Sequence, residues 1–169
     1  ARAYMEQVTA FCHRYVDGVK EEKGNILFTG KTGLGKTFLS NCIAKELIER
    51  CFSVVYLPAV EMYEIFSRDR FANDATDEDR DRSQYLLECD LLIIDDLGTE
   101  YTNSFIASQF FTCINERLLH RKSTIISTNL SLESLADLYT ERSFSRITSS
   151  YSLLKIIGDD IRIKKKLEH

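Results

Sequence analysis

Gly30-Lys31-Thr32-Gly33-Leu34-Gly35-Lys36-Thr37 carries the spacing G-x-x-x-x-G-K-T, and each fixed residue type answers a need of phosphate chemistry. Glycines at 30, 33 and 35 admit backbone angles that side chains forbid, so successive N–H groups can turn inward around an anion. Lys36 is placed to reach the β- and γ-phosphates of a nucleoside triphosphate, and the Thr37 hydroxyl to meet Mg²⁺. Lys31, Thr32 and Leu34 fill the loop, and Phe38 follows in a helix whose positive dipole end lies beneath the phosphates. A chance glycine-rich turn would need neither an apolar strand before it nor a helix after it. Ile26 to Phe28 supplies the first, and Phe38, Leu39, Cys42, Ile43 and Leu47 the second.

Three further groups fit the same chemistry. Leu91-Leu92-Ile93-Ile94 runs into Asp95-Asp96. An acid at the end of a buried strand can hold Mg²⁺ through water, which suits Asp95, and Asp96 can polarise the attacking water. A solvated strand end is the other reading of such a pair; the neighbouring P-loop favours the functional one. Asn129, closing Ser127-Thr128-Asn129, either orients water without titrating or only opens a turn before Ser131. Arg142 and Arg146 stand four apart on one helical face. They form either a solvated basic face or a source of positive charge for a transferring phosphoryl group, in their own chain or a neighbour's. Arg162, after Gly158-Asp159-Asp160, is a further candidate for that site, and Lys164 to Lys166 reads as a solvated tail.

The elements that must position these residues are legible from periodicity. Residues 3 to 19 form an amphipathic helix through Val8, Phe11, Cys12, Tyr15, Val16 and Val19. Strands are predicted over Ile26–Phe28, Ser53–Leu57, Leu91–Asp96, Ser123–Asn129 and Leu153–Ile157. Between them fall the helix after the P-loop, a helix from Ala59 to Phe66 started by Pro58, and a helix from Asn103 to His120 with Phe105, Phe110, Ile114, Leu118 and Leu119 inward. A short helix capped by Ser131 and a polar helix from Thr140 to Ser149 complete the set. The acidic stretch Phe71 to Arg82 reads as a mobile loop leading into a helix that ends near Glu88. Strands alternating with helices predict an α/β fold: a parallel five-stranded sheet covered on both faces.

The chain has 169 residues, 44% hydrophobic and 28% charged, the balance of an ordinary globular domain. No apolar run approaches the ~20 residues of a membrane span, and no secretory leader is evident. Its five cysteines, Cys12, Cys42, Cys51, Cys89 and Cys113, show no C-x-x-C pair, so reduced thiols on apolar faces and a cytoplasmic location are expected. A net charge of −4 argues against strong autonomous duplex binding. The first residue is Ala1 and the last three, Leu167-Glu168-His169, are similar to the start of a vector-encoded histidine tag, so a piece of a longer protein is expected. The expected division is an N-terminal helix and linker over 1–24, a nucleotide-binding domain over 25–163, and a tail over 164–169.

G-K-T-G-L-G-K-T, L-L-I-I-D-D-L-G, S-T-N and E-R-x-x-S-R-I follow one another in that order. In series they resemble the AAA+ ATPase domain of bacterial replicative helicase loaders of the DnaC/DnaI type, and the related IstB transposition helper ATPases. The resemblance implies a P-loop NTPase of the AAA+ class, binding ATP or ADP with Mg²⁺. It implies Lys36 and Thr37 in Walker A, Asp95 and Asp96 in Walker B, Asn129 as sensor 1, Arg146 as arginine finger with Arg142 beside it, and Arg162 near a sensor-2-like position. It implies as partners a hexameric DnaB-type replicative helicase, single-stranded DNA, and further copies of the chain joined head to tail with ATP, with no membrane. Two departures stand out. Asp96 occupies a place where many AAA+ proteins carry Glu, which implies slow hydrolysis, and the last predicted strand lies close to residue 169, so a full helical lid domain is not expected within these residues. Tyr63, Phe66, Arg68, Arg70 and Phe71 mix rings with cations where these families carry a helical insertion, and are expected either to contact single-stranded DNA or to pack in the core. A transposition helper is the alternative within the fold. A P-loop small-molecule kinase or a nucleotide-binding scaffold without turnover are the alternatives outside it.

Overall fold

The computed structural model describes residues 2–19, 24–72, 74–100 and 103–158. Along the chain lie α1 (Arg2–Gly18), β1 (Ile26–Thr29), α2 (Lys36–Glu49), β2 (Val54–Pro58), α3 (Ala59–Phe71), α4 (Asp77–Glu88), β3 (Leu91–Leu97), α5 (Ser104–Leu119), β4 (Ser123–Thr128), α6 (Leu132–Leu138), α7 (Glu141–Ser150) and β5 (Ser152–Lys155). The five strands form one parallel sheet in the order β2-β3-β4-β1-β5. A parallel sheet brings all strand ends of one polarity to one edge. The loops leaving β1, β3 and β4 therefore emerge side by side, where ligands of open α/β sheets bind.

Strand alternation sorts the core into two layers. Ile26, Phe28, Leu91, Ile93 and Ile125 face α1 and α2, packing with Val8, Val16, Ile43 and Leu47. Leu27, Leu92, Ile94 and Ile126 face the other way, against Met62, Phe66, Leu86, Phe110, Ile114 and Ile147 from α3, α4, α5 and α7. Strands buried on both faces must be apolar throughout, which is why they read as continuous runs rather than alternating ones.

The structure corrects four expectations. The acidic stretch is mostly helix: α3 runs on to Phe71 and α4 begins at Asp77. Thr76 and Asp79 form a reciprocal capping box, and Asp77, Glu78 and Asp79 place negative charge in the first turn. On α2, Phe38 is 69% exposed and Cys42 is exposed, because the buried stripe is Lys36, Leu39, Ser40, Ile43, Ala44 and Leu47. Cys51 is exposed as well, so the cysteines do not all lie on apolar faces. On α5, Leu119 is 68% exposed and Arg117 takes the inward position, fully buried.

Arg117 keeps its charge inside by meeting oxygens with every arm. It donates to Leu86 O at 2.7 Å, Leu87 O at 3.2 Å, Ser123 O at 2.5 Å and the Thr124 hydroxyl at 2.9 Å. Two of these carbonyls close α4, at the negative end of its dipole. Arg117 thus ties α4 and β4 to α5. Among the described residues no helix is long and apolar enough to cross a membrane.

Candidate nucleotide site

The P-loop leaves β1 at Gly30, where φ is +144° and a Cβ would stand 2.3 Å from the Ile156 carbonyl oxygen. Only glycine lets β1 pass that close to the chain leaving β5. Gly35, at φ +96°, turns the loop into α2 and gives it no side-chain cap. By contrast α4, α5, α6 and α7 are capped by side-chain oxygens of Thr76, Asn103, Ser131 and Thr140. The first N–H groups of α2 are thus left for an anion.

Lys36 is 5% exposed. Its Nζ donates to Gly30 O at 2.6 Å, Lys31 O at 2.8 Å and Asn129 Oδ1 at 2.7 Å. The ammonium curls back over the loop and joins it to the end of β4. One residue on, the Thr37 hydroxyl donates to Asp95 Oδ2 at 3.0 Å. Residues from three separate strand ends therefore converge: Lys36 and Thr37 after β1, Asp95 on β3, Asn129 after β4.

A bulge explains how Asp95 and Asp96 part. Ile94 pairs with Ile126 and Leu97 with Thr128, so Asp95 and Asp96 together oppose Ser127. Asp96 takes the left-handed region, φ +53°. The extra residue lets Ile94 and Leu97 enter the same core layer, while Asp95 is buried and Asp96 is exposed. Ser127 repairs the ladder: its hydroxyl accepts from Asp96 N at 3.1 Å and donates to Asp95 Oδ1. The other oxygen of Asp95 also accepts from the Tyr56 phenol. Burial, then the nearby carboxylates of Asp95 and Asp96, push the Tyr56 phenol far above its ordinary pKa, so it remains a donor.

Lys31 and Thr32 are exposed at the loop's tip, Gly33 is half-buried and Leu34 is buried beneath it. A cleft of about 650 Å³ flanks the loop, lined by Gly30, Lys31, Leu34, Asn129, Ile156 and Gly158 among others. Arg142 and Arg146 are exposed on α7, whose inward residues are Ser143 and Ile147. Neither arginine side chain forms a hydrogen bond or ion pair with the P-loop cluster among the described residues. Phe38 points outward from the first turn of α2, and Arg162 lies outside the described residues. Tyr63 and Phe66 are 5% and 8% exposed, so of the two readings of that segment these rings take core packing. Arg68 and Arg70 are exposed.

Thr37 and Asp95 fit a hard, oxygen-seeking cation that completes its shell with phosphate and water. Among the described residues no cluster of three or more His, Cys, Asp or Glu could hold a metal by itself. Sequence reasoning did not single out Tyr56 or Ser127. The hydroxyl of Ser127 in S-T-N, one strand from the Asp pair, was the available signal for the second; the first depends on the register of β2 against β3.

The profile of the IstB-like ATP binding protein family matches residues 14–169. The chain belongs to this ATP-binding family. The replicative helicase loader DnaC of Escherichia coli (strain K12) is 30% identical over 145 residues, 84% of this chain and 58% of that protein. An insertion sequence IS232 putative ATP-binding protein of Bacillus thuringiensis subsp. berliner is 26% identical over 149 residues, 85% of this chain and 58% of that one. The chain thus spans a little over half the length of these relatives. A crystal structure of the DnaC helicase loader superposes with a TM-score of 0.78 at 25% identity, covering 91% of this chain and 90% of that one. The replication initiator DnaA bound to AMPPCP and single-stranded DNA superposes with a TM-score of 0.75 at 22% identity, covering 93% of this chain and 49% of that one. The fold is the AAA+ P-loop ATPase fold expected from the sequence.

Proposed function

We propose that this chain is the ATP-binding and hydrolysing AAA+ domain of a replicative helicase loader acting when DNA replication begins. The observation that carries the reading is the convergence of Lys36, Thr37, Asp95 and Asn129 at one sheet edge, in a family and fold shared with the loader DnaC. In this reading the P-loop N–H groups and Lys36 cradle the phosphates of ATP. Lys36 exchanges its carbonyl partners for phosphate oxygens and keeps Asn129 within reach of the γ-phosphate. Thr37 and Asp95 would hold Mg²⁺, which would supply positive charge beside the phosphates.

Asp96, exposed beside that carboxylate by the bulge, polarises the attacking water, and Asn129 orients it. A carboxylate one methylene shorter than Glu reaches the water less well, so turnover is slow. Arg146 stands on a solvent face, which supports a finger offered to a neighbouring subunit rather than to its own site. Copies then associate head to tail with ATP, and nucleotide state sets the grip on single-stranded DNA and on a hexameric helicase. The solved neighbour bound to AMPPCP and single-stranded DNA supports pairing these two ligands on this fold.

The IS232 relative favours a second reading, a transposition helper that serves a transposase on duplex DNA. The full-length protein, tested with ATP for co-purification with a DnaB-type helicase and with a transposase, separates the two. Retention of the helicase supports the loader, and retention of the transposase alone overturns it.

A further inference from the structure

The carboxylate of Asp95 receives three hydroxyl groups: Thr37 and Tyr56 at Oδ2 and Ser127 at Oδ1. Thr37 belongs to the phosphate loop, and Ser127 is accounted for by the bulge. Tyr56 is neither. It lies on β2, one of the two edge strands of the sheet, and is 37% exposed.

The register accounts for its reach. Tyr56 pairs with Ile93 and Pro58 with Asp95. Side chains two residues apart on a strand share a face, so Tyr56 lies on the face of Ile93 and of Asp95. A shorter residue at 56 would stop beside Ile93; the phenol is long enough to lean along the strand to the carboxylate. Pro58, directly opposite Asp95, has no polar side chain to offer. Tyr56 is thus the donor that β2 supplies.

When Mg²⁺ binds, the Thr37 oxygen can ligate the cation through a lone pair while its proton stays on Asp95, and Tyr56 and Ser127 fix the plane of the carboxylate from its two sides. We propose that Tyr56 is a positioning residue for the Mg²⁺-binding carboxylate, setting how tightly the metal joins the bound nucleotide without touching the nucleotide itself. This rests on the reading of Thr37 and Asp95 as the metal pair. Partners that orient a metal-binding carboxylate contribute roughly 10–100-fold to metal affinity, and Tyr56 shares that task with Ser127, so the lower end applies.

The test is a Mg²⁺ titration of a fluorescent ADP bound to the wild type, Tyr56→Phe and Tyr56→Leu, with an EDTA baseline and an unfolding midpoint for each. The expected result is equal ADP affinity in EDTA, unchanged unfolding of Tyr56→Phe, and a half-saturating Mg²⁺ concentration raised about tenfold in both variants. A half-saturation within about twofold of wild type, or below it, would overturn the positioning role; a purely structural tyrosine gives that pattern, moving the unfolding midpoint instead. Failure of Tyr56→Phe to fold would overturn it too, because the hydroxyl would then be a folding determinant. Wild-type ADP binding indifferent to Mg²⁺ would remove the metal pair itself, and the positioning role with it.

Discussion

Lys36 is poised but occupied, its ammonium held by two loop carbonyls and the Asn129 amide oxygen within 2.8 Å. A nucleotide's phosphates offer that cation charged acceptors, so binding exchanges hydrogen bonds to neutral oxygens for bonds in which both partners are charged. Lys36→Ala is expected to weaken ATP binding by about 100-fold, since each hydrogen bond to a charged group is worth about 1.5–3 kcal/mol; equilibrium titration with a fluorescent ATP analogue measures it. A folded variant with wild-type affinity would remove the lysine from the site. Asp96→Asn should bind Mg·ATP as the wild type does and hydrolyse it about 10²-fold more slowly, because positioned acid–base groups typically contribute 10²–10⁴. Single-turnover kinetics separates the two effects.

At this scale the glycine spacing, the lysine and the paired acids were legible in the sequence, because backbone freedom and charge are properties of single residues. Tyr56 and Ser127 were not. Their roles exist only once β2, β3 and β4 are in register, which sets Tyr56 on the face of Asp95 and Ser127 opposite the bulge.

Among the elements, α4 and α5 show where periodicity fails. Reading apolar residues as inward placed Leu119 in the core, yet the inward position belongs to Arg117, two residues and roughly 200° away. A guanidinium is tolerated there because its donors meet the carbonyls that close α4 and open β4. Arg117→Met should destabilise the domain by about 2–4 kcal/mol, mainly through buried carbonyls left without donors. Urea unfolding at constant m-value reads this directly, and an unchanged midpoint would show that water replaces the arginine. The acidic segment misled for the opposite reason. Its polarity reads as loop, but Thr76 and Asp79 cap one another and three first-turn acids complement the helix dipole, so a strongly charged stretch is a stable helix start. Helix α3 continues past the Phe66 expected from the sequence, to Phe71, and the added turn carries the exposed Arg68 and Arg70.

For the whole molecule, the parallel sheet gathers the P-loop, the acids and Asn129 at one edge, while α7 carries Arg142 and Arg146 to solvent. Alternation of strands and helices made this architecture legible; what stands beside α7 in an assembly is a matter of a second chain, and no pattern within one sequence encodes its position. In the proposed assembly the catalytic site is shared, with Lys36 and Asp95 in one subunit completed by Arg146 of the next. An arginine given in trans can contribute about 10³–10⁵ in rate and little to ground-state affinity. The most direct measurement is ATP hydrolysis by Arg146→Ala and Lys36→Ala, alone and mixed, under conditions that assemble the wild type. The account predicts that Arg146→Ala binds ATP normally, that each variant alone is inactive, and that mixing them restores part of the activity, since each supplies the half the other lacks. Wild-type hydrolysis per subunit that is independent of concentration, with no recovery on mixing, would contradict it and place the complete site within one chain.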